Sequence, residues 1–345
     1  MPIIGLDLGR NTIRAVELDR KKDQIVVLKY NAYQNPKLNL DSDAKDDIEL
    51  YGNSLGEFIA DAGFSTPYVV AGLDETYVYM RIVKLPPMSD KELKSSINYE
   101  AEQYIPLPLN EVNLSYQKLD VDYADKGKIN IQLVAARKSI LDKYVNIIKR
   151  AKLIPRAIEP ETIALGRALG DSPEAPAGSI IVDMGYSRSI IIITYGGFVR
   201  FTRSVQIGGD VMSKTIQQTL GLDYNQAEEY KKVYGLDKNQ VDGKIYTVLK
   251  PIFDNLVDEV RRAGIFFTKQ YPNANIKRVI LTGGTAQMPG LLLYMANNLD
   301  LEVEIANPFR FVSMLPEKNA IKAPSKITDE STIYSSAFGL ALKEI

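Results

Sequence analysis

Two short segments, about half a chain apart, carry the residue types that handle phosphate. Residues 3–18 read IIGLDLGRNTIRAVEL and residues 180–195 read IIVDMGYSRSIIIITY. Each is an apolar run, then Asp-x-Gly, then mostly polar residues, then a second β-rich run. In the first, Gly9 lets the backbone approach an anion closely, and Asn11, Thr12 and successive amides can donate to phosphate oxygens. Asp7 could then hold hydrated Mg²⁺ through water, because that ion keeps much of its hydration shell. Asp183, Gly185 and Ser187 repeat the arrangement in the second. An isolated Asp-x-Gly is an ordinary turn. Matching context at a half-chain offset reads instead as a duplicated α/β half, and two such loops facing each other would clamp a triphosphate.

Two further segments bear on the same chemistry. In Ile280–Thr285 (ILTGGT) a strand enters a double-glycine turn. Gly283 and Gly284 either supply a turn with positive φ or let backbone lie against an adenosine. In Ala227–Lys231 (AEEYK) Glu228 and Lys231 stand three apart on one helix face, the spacing of an exposed intrahelical ion pair.

The chain has 345 residues with no His and no Cys, which removes imidazole bases, Ser-His-Asp triads, thiolate nucleophiles, disulfides and Cys- or His-ligated zinc. Carboxylates, hydroxyls, Lys, Arg and backbone amides remain, and these favour phosphate and hard-cation chemistry. Lys and Arg number 42 against 43 Asp and Glu, so the basic excess of a general nucleic-acid binder is missing. The opening MPIIGLDLGR lacks a basic region before an apolar stretch, so no signal peptide is expected. Apolar runs such as Ile190–Ile193 fall far short of the roughly 20 residues of a spanning helix, and a soluble intracellular protein is expected.

The positioning elements follow from periodicity. Residues 1–82 form a first core, and 83–155 read as an inserted α+β unit. Within that unit Ser89 and Glu92 make a capping box, and Leu93, Ile97, Ala101 and Tyr104 follow at helical spacing. Strands are expected around Val112–Leu119 and Ile129–Ala136, then a helix over 139–152 with an excess of basic residues. Residues 156–177 connect to a second core over 178–206. A helical insertion over 207–275 follows, the core resumes over 276–328, and a final helix covers 329–345. The acidic loop Asp41–Asp47 reads as solvated surface.

Taken in order, these motifs resemble the actin-like ATPase superfamily, which includes actin, sugar kinases, heat-shock chaperone ATPases and the division protein FtsA. The phosphate 1, connecting helix, phosphate 2, adenosine and second connecting helix segments match Asp7–Thr12, Ile158–Ala168, Asp183–Ser189, Leu281–Pro289 and Tyr334–Leu342. The resemblance implies an α/β, actin-like (ribonuclease H-like) two-domain ATPase fold with an inserted α+β subdomain of the 1C type. It makes Asp7 and Asp183 the magnesium-organising carboxylates and Glu159 the acid that orients attacking water. Glu228 and Lys231 match a segment that holds ribose and adenine. Arg10 and Arg188 depart from the pattern by being bulky and cationic.

Within that superfamily, VKLPPMSDKELKSSINYEAEQYIPLPLNEV, AIEPETIALGRAL and the stretch from IGGDVMSKTI to AEEYKK resemble the PilM family of type IV pilus assembly. That resemblance implies a cytoplasmic scaffold at the inner face of the cytoplasmic membrane, binding ATP and Mg²⁺ with at most slow hydrolysis. It implies as partner the N-terminal cytoplasmic tail of PilN, held in a groove between core and inserted subdomain. Other platform proteins and self-association are further expectations, with membrane association indirect and no nucleic acid. An FtsA-like polymer and a small-molecule kinase are the alternatives. The first carries a membrane helix beyond the last connecting helix, which is not expected in a chain ending at Ile345. The second needs a base in a sugar-sized pocket, and Glu159 is the one candidate.

Overall fold

The computed structural model describes residues 1–10, 12–22, 24–119, 127–171, 177–272, 274–310, 312–314 and 331–345. The chain forms two compact units. The first holds residues 1–164, 312–315 and 336–345, and the second holds 165–311 and 316–335.

In the first unit, β1 (Ile3–Leu8), β2 (Thr12–Lys21), β3 (Gln24–Gln34), β4 (Tyr68–Leu73) and β8 (Ile154–Pro160) build a sheet ordered β3-β2-β1-β4-β8, with the short β14 (Ser313–Met314) beside β3. β1 runs antiparallel to β2 and parallel to β4, and β4 is parallel to β8. All six residues of β1 are buried, as a strand covered on both faces requires. One face meets α1 (Lys45–Ala62) and α3 (Lys138–Arg150) in a core that includes Leu6, Leu8, Tyr51, Leu55, Val69, Ala71, Tyr144, Ile147 and Ile148.

The second unit repeats the plan. β9 (Gly178–Met184), β10 (Ser189–Tyr195), β11 (Phe198–Val205), β12 (Ile276–Thr282) and β13 (Glu302–Ile305) are ordered β11-β10-β9-β12-β13. Its central strand is again antiparallel to one neighbour and parallel to the other. Helices α5 (Gly209–Leu220), α6 (Tyr224–Tyr234), α7 (Lys244–Gln270) and α8 (Leu291–Asn298) complete it. Gly221 at φ 66° ends α5, and a capping box of Asp223 and Gln226 starts α6. α7 begins two turns ahead of Pro251, which forfeits one helical hydrogen bond while Ile245, Leu249, Phe253, Leu256, Val260, Ala263 and Phe267 keep one buried stripe.

The inserted unit is smaller than the spacing suggests. β5 (Val78–Leu85), β6 (Val112–Leu119) and β7 (Ile129–Arg137) form a separate sheet ordered β5-β7-β6. On it α2 (Asp90–Glu102), with the expected capping box of Ser89 and Glu92, lays Leu93, Ile97 and Ala101 against Val83, Leu85, Ile131 and Leu133. Helix α3 does not belong to this unit. Its stripe joins the main core, because Gly52 and Gly56 open a groove on α1. A Cβ on Gly52 would stand 2.9 Å from Arg150 Cβ, and one on Gly56 3.3 Å from Ala151 Cα. An amphipathic stripe says that a helix packs, not on what. The acidic loop is exposed as expected, yet it has partners: Asp43 pairs with buried Lys143 at 2.9 Å and Asp41 accepts from Tyr77 Oη at 3.0 Å.

The opposite face of the first sheet meets the C-terminal helix Ser335–Ala341 through contacts that only glycine permits. A Cβ on Gly5 would fall 1.8 Å from Ala337 O and 2.5 Å from Ala341 N. Gly5→Ala must therefore separate helix and strand, and is expected to cost about 3 kcal/mol. Thermal denaturation should show the midpoint falling by roughly 5 °C or more; an unchanged midpoint would contradict this packing.

Candidate nucleotide site

The mixed strand order brings several loops to one edge of each sheet. In the first unit, Asp7 near the end of β1 is 8% exposed, and Arg14, its register partner on β2, donates from Nη1 to Asp7 Oδ2 at 3.2 Å. Burial raises the Asp7 pKa above the ordinary aspartate value, and Arg14 offsets only part of that cost; the negative Asp74 adds to it. The turn that follows is cinched. Gly9 N–H donates to Thr12 C=O at 2.8 Å, and the buried Tyr51 Oη donates to Gly9 C=O at 2.6 Å. A side chain at Gly9 would crowd Thr12 O at 2.9 Å. Burial, then the charge of Asp7, pushes the Tyr51 hydroxyl well above its usual pKa, so it stays a donor. Arg10 turns outward to Asp41, away from this bond set. Asn11 lies outside the described residues.

Glu159 sits near the C-terminal end of β8, just before the connecting helix α4 (Glu161–Leu169). It is 6% exposed and accepts from Lys343 Nζ at 2.9 Å.

The second unit gathers more of the expected residues. Gly185 N–H donates to Arg188 C=O at 3.0 Å, closing a bend that holds Ser187, and Gly185 C=O accepts from Gly209 N–H at 3.0 Å. Asp183 precedes this bend on β9, and Gly283 lies directly against it. At φ 86°, a Cβ on Gly283 would stand 2.6 Å from Asp183 Oδ1 and 2.6 Å from Met184 O. Thr285 N–H then donates to Met184 C=O at 3.2 Å. A Cβ on Gly284 would meet nothing within 4 Å, which leaves that side of the turn open to a ligand.

Glu228 and Lys231 are not an exposed pair. Lys231 is 7% exposed, and its ammonium donates to Glu228 Oε2 at 2.6 Å, to Ser213 Oγ at 2.9 Å and to Gly209 C=O at 3.0 Å. Burial works to raise the Glu228 pKa, but the bonds from Lys231 and Ser213 outweigh it and hold the carboxylate ionised to lower pH. Gly209 is where these groups meet, since a Cβ there would lie 3.2 Å from Lys231 Nζ, 3.3 Å from Thr285 Oγ1 and 3.9 Å from Gly185 O. One further carboxylate fixes the bend. Asp210 donates its amide to Tyr186 C=O at 2.9 Å, and its Oδ1 accepts from the hydroxyls of Tyr186 and Tyr224, each at 3.0 Å.

Sequence reasoning placed Asp183, Gly185, Ser187, Glu228, Lys231, Gly283 and Gly284 in one unit, and the structure draws their segments together. It missed Gly209, Ser213 and Thr285. The paired glycines of Ile207-Gly208-Gly209-Asp210, just before a helix, were the available signal. It also missed Arg14, which the hairpin register alone places opposite Asp7.

The family described as type IV pilus assembly protein PilM matches residues 5–345. The chain belongs to the PilM family. Among solved structures, the PilM-PilN type IV pilus biogenesis complex is similar with a TM-score of 0.81 at 23% identity, over 99% of this chain and 98% of that one. MreB5 of Spiroplasma citri bound to AMPPNP gives a TM-score of 0.54 at 14% identity, over 99% and 96%. This PilM-family chain therefore has the actin-like ATPase fold. FtsA of Neisseria meningitidis is 21% identical over 264 residues, which cover 69% of this chain and 60% of the relative. FtsA of Enterococcus faecalis is 20% identical over 370 residues, covering 92% and 84%. The chain spans 44% of the length of the Bacillus subtilis FtsA that it also matches.

The electrostatics of Asp7 give a test. Because its folded pKa is raised, its contribution to stability is fully present below the ordinary aspartate pKa and is lost as pH rises through the folded value. At pH 7 the ionised side chain is a net cost in the ligand-free protein. Asp7→Asn keeps an acceptor for Arg14 and should raise the ligand-free melting temperature at pH 7, with the gain vanishing below the ordinary aspartate range. A lower melting temperature at pH 7 would contradict this.

Proposed function

We propose that this PilM-family protein is an ATP-binding scaffold of type IV pilus assembly that docks the N-terminal cytoplasmic tail of a PilN-type membrane partner. The observation that carries the nucleotide reading is the packing of Gly283 on Asp183, with Gly209 joining the Gly185 bend, Thr285 and the Glu228–Lys231 pair. Tight turns, buried carboxylates and open backbone suit phosphates and a nucleoside. In this reading Gly9, Thr12 and Asn11 with Gly185 and Ser187 contact phosphates, while Glu228, Lys231, Gly283 and Gly284 hold the nucleoside.

Asp7 and Asp183 hold Mg²⁺ through water, and the ion, when bound, neutralises phosphate charge. The donor set fits that ion. Asp7 and Asp183 offer hard carboxylate oxygens, the donor type Mg²⁺ prefers, and in this reading water and phosphate complete its shell. Glu159 orients water for slow phosphate release, a role that acts mainly in the transition state.

The partner reading draws on the family and on the small sheet. Tyr79, Tyr99 and Tyr104 are exposed there, offering apolar anchors to an extended peptide. The basic run on α3 contributes less than its sequence suggests, because Lys143 pairs with Asp43 and Arg150 with Glu49. No described helix is long and apolar enough to cross a membrane, and we place the protein at the inner membrane face through its partner.

Two measurements test this. Titration calorimetry should show Mg-ATP binding, weakened about tenfold or more in Asp183→Ala, the loss of roughly one charge-assisted contact. Unchanged affinity in a folded variant would remove Asp183 from the site. A peptide copying the partner's N-terminal tail should bind the full chain, and Tyr99→Ala with Tyr104→Ala should weaken it about tenfold. Equal binding would move the docking surface off the small sheet.

A further inference from the structure

The ammonium that sits on Glu159 comes from the C-terminal tail, and its position is built rather than incidental. Three glycines let the helix before it press on the first sheet and on α4. A Cβ on Gly5 would collide with Ala337 O at 1.8 Å, one on Gly339 with Ala164 O at 2.0 Å, and one on Gly72 would touch Leu340 Cδ1 at 3.1 Å. The tail is then tied to β8 twice, by Lys343 to Glu159 at 2.9 Å and by Glu344 to Arg156 at 3.8 Å. Glu159 is level with Gly72 on β4, and the residues before them in register place Leu6 beside Ala71. Asp7 follows Leu6, so Asp7, Gly72 and Glu159 lie on adjacent strands and share one sheet face. That face also carries the helix, and there the Lys343 ammonium donates to Glu159 Oε2 at 2.9 Å.

We propose that Lys343 is a positioning residue that restrains hydrolysis: it holds the Glu159 carboxylate and so keeps ATP bound with slow turnover. The proposal rests on the nucleotide reading above. In hydrolysis the water oxygen forms a bond to the γ-phosphorus, the bond from that phosphorus to the bridging oxygen breaks, and ADP and phosphate leave. The water's proton must go to an acceptor or to solvent. A carboxylate with one oxygen bonded to an ammonium, and its charge offset, is a weaker acceptor and is turned toward the tail instead of the water. Binding of ATP needs neither, so affinity and rate separate. The same chain can then favour holding nucleotide over spending it, which suits a scaffold.

The test uses the full-length protein. Lys343→Met keeps most of the apolar stem and removes the ammonium, while Lys343→Arg keeps a cation. Single-turnover phosphate release with bound ATP should rise about tenfold or more in Lys343→Met. Mg-ATP affinity should stay within about twofold, and the slow rate should persist in Lys343→Arg. Adding Glu159→Gln to Lys343→Met should abolish the rise, which a merely structural role for Lys343 would not do. An unchanged rate in Lys343→Met, or the same rise with Glu159→Gln present, would overturn the proposal. If Lys343→Met melts early, Lys343→Gln serves with the same expectations. Failure of the nucleotide reading is separate, because the unsubstituted protein would then give no Mg-ATP binding at all.

Discussion

A strand that is antiparallel to one neighbour and parallel to the other imposes a particular geometry on its C-terminal end. The antiparallel neighbour needs a tight turn there, while each parallel strand ends at the same edge of the sheet. Turn and crossover loops therefore meet beside one another. β1 ends at the Gly9 turn, with Asp74 just past β4 and Glu159 at the end of β8. β9 ends at the Gly185 bend, with the Gly283 turn following β12. The candidate groups at strand ends in both units depend on this convergence, while Glu228 and Lys231 reach the second from α6, and the glycines are what make it close enough to be chemical. At Gly283 the neighbouring carboxylate oxygen would be 2.6 Å from any added Cβ.

The same geometry has an electrostatic consequence. With no imidazole and no thiol in the chain, the groups at these edges are carboxylates, hydroxyls, amides and fixed cations. Asp7 and Glu159 are buried and Glu228 is half-buried, and each has a cation beside it: Arg14 at Asp7, Lys231 at Glu228, Lys343 at Glu159. Neutralisation is incomplete at Asp7, where burial still outweighs Arg14. A site that is strained by its own charge when empty is one that an incoming cation relieves. This connects the stability of the ligand-free protein to the affinity expected for a magnesium-bound phosphate.

Much of this was legible in the amino-acid sequence. The duplicated hairpins, the capping box at Ser89, and strand β6 at Val112–Leu119 are local, since period, cap and turn chemistry are written in neighbouring residues. What was not legible is which face meets which. Helix α3 carries a clear stripe, yet its partner is set by Gly52 and Gly56 almost a hundred residues earlier. The ion pairs of the exposed acidic loop were hidden because its cations, Arg10 and Lys143, are distant in the chain or point away from their own motif. Glu228 and Lys231 looked like a surface pair because helical spacing cannot reveal that Gly209 and Ser213 cover them. The role of Lys343 depends on a helix seated by glycines on other strands.

Hydrogen–deuterium exchange with and without Mg-ATP measures the central claim most directly, because it reads the converging backbone itself. Amides in the Gly9 turn, the Gly185 bend and the Gly283–Thr285 turn should all slow when nucleotide is added, together with the start of α5 at Gly209. Protection confined to other surfaces, with these segments exchanging as before, would contradict the account.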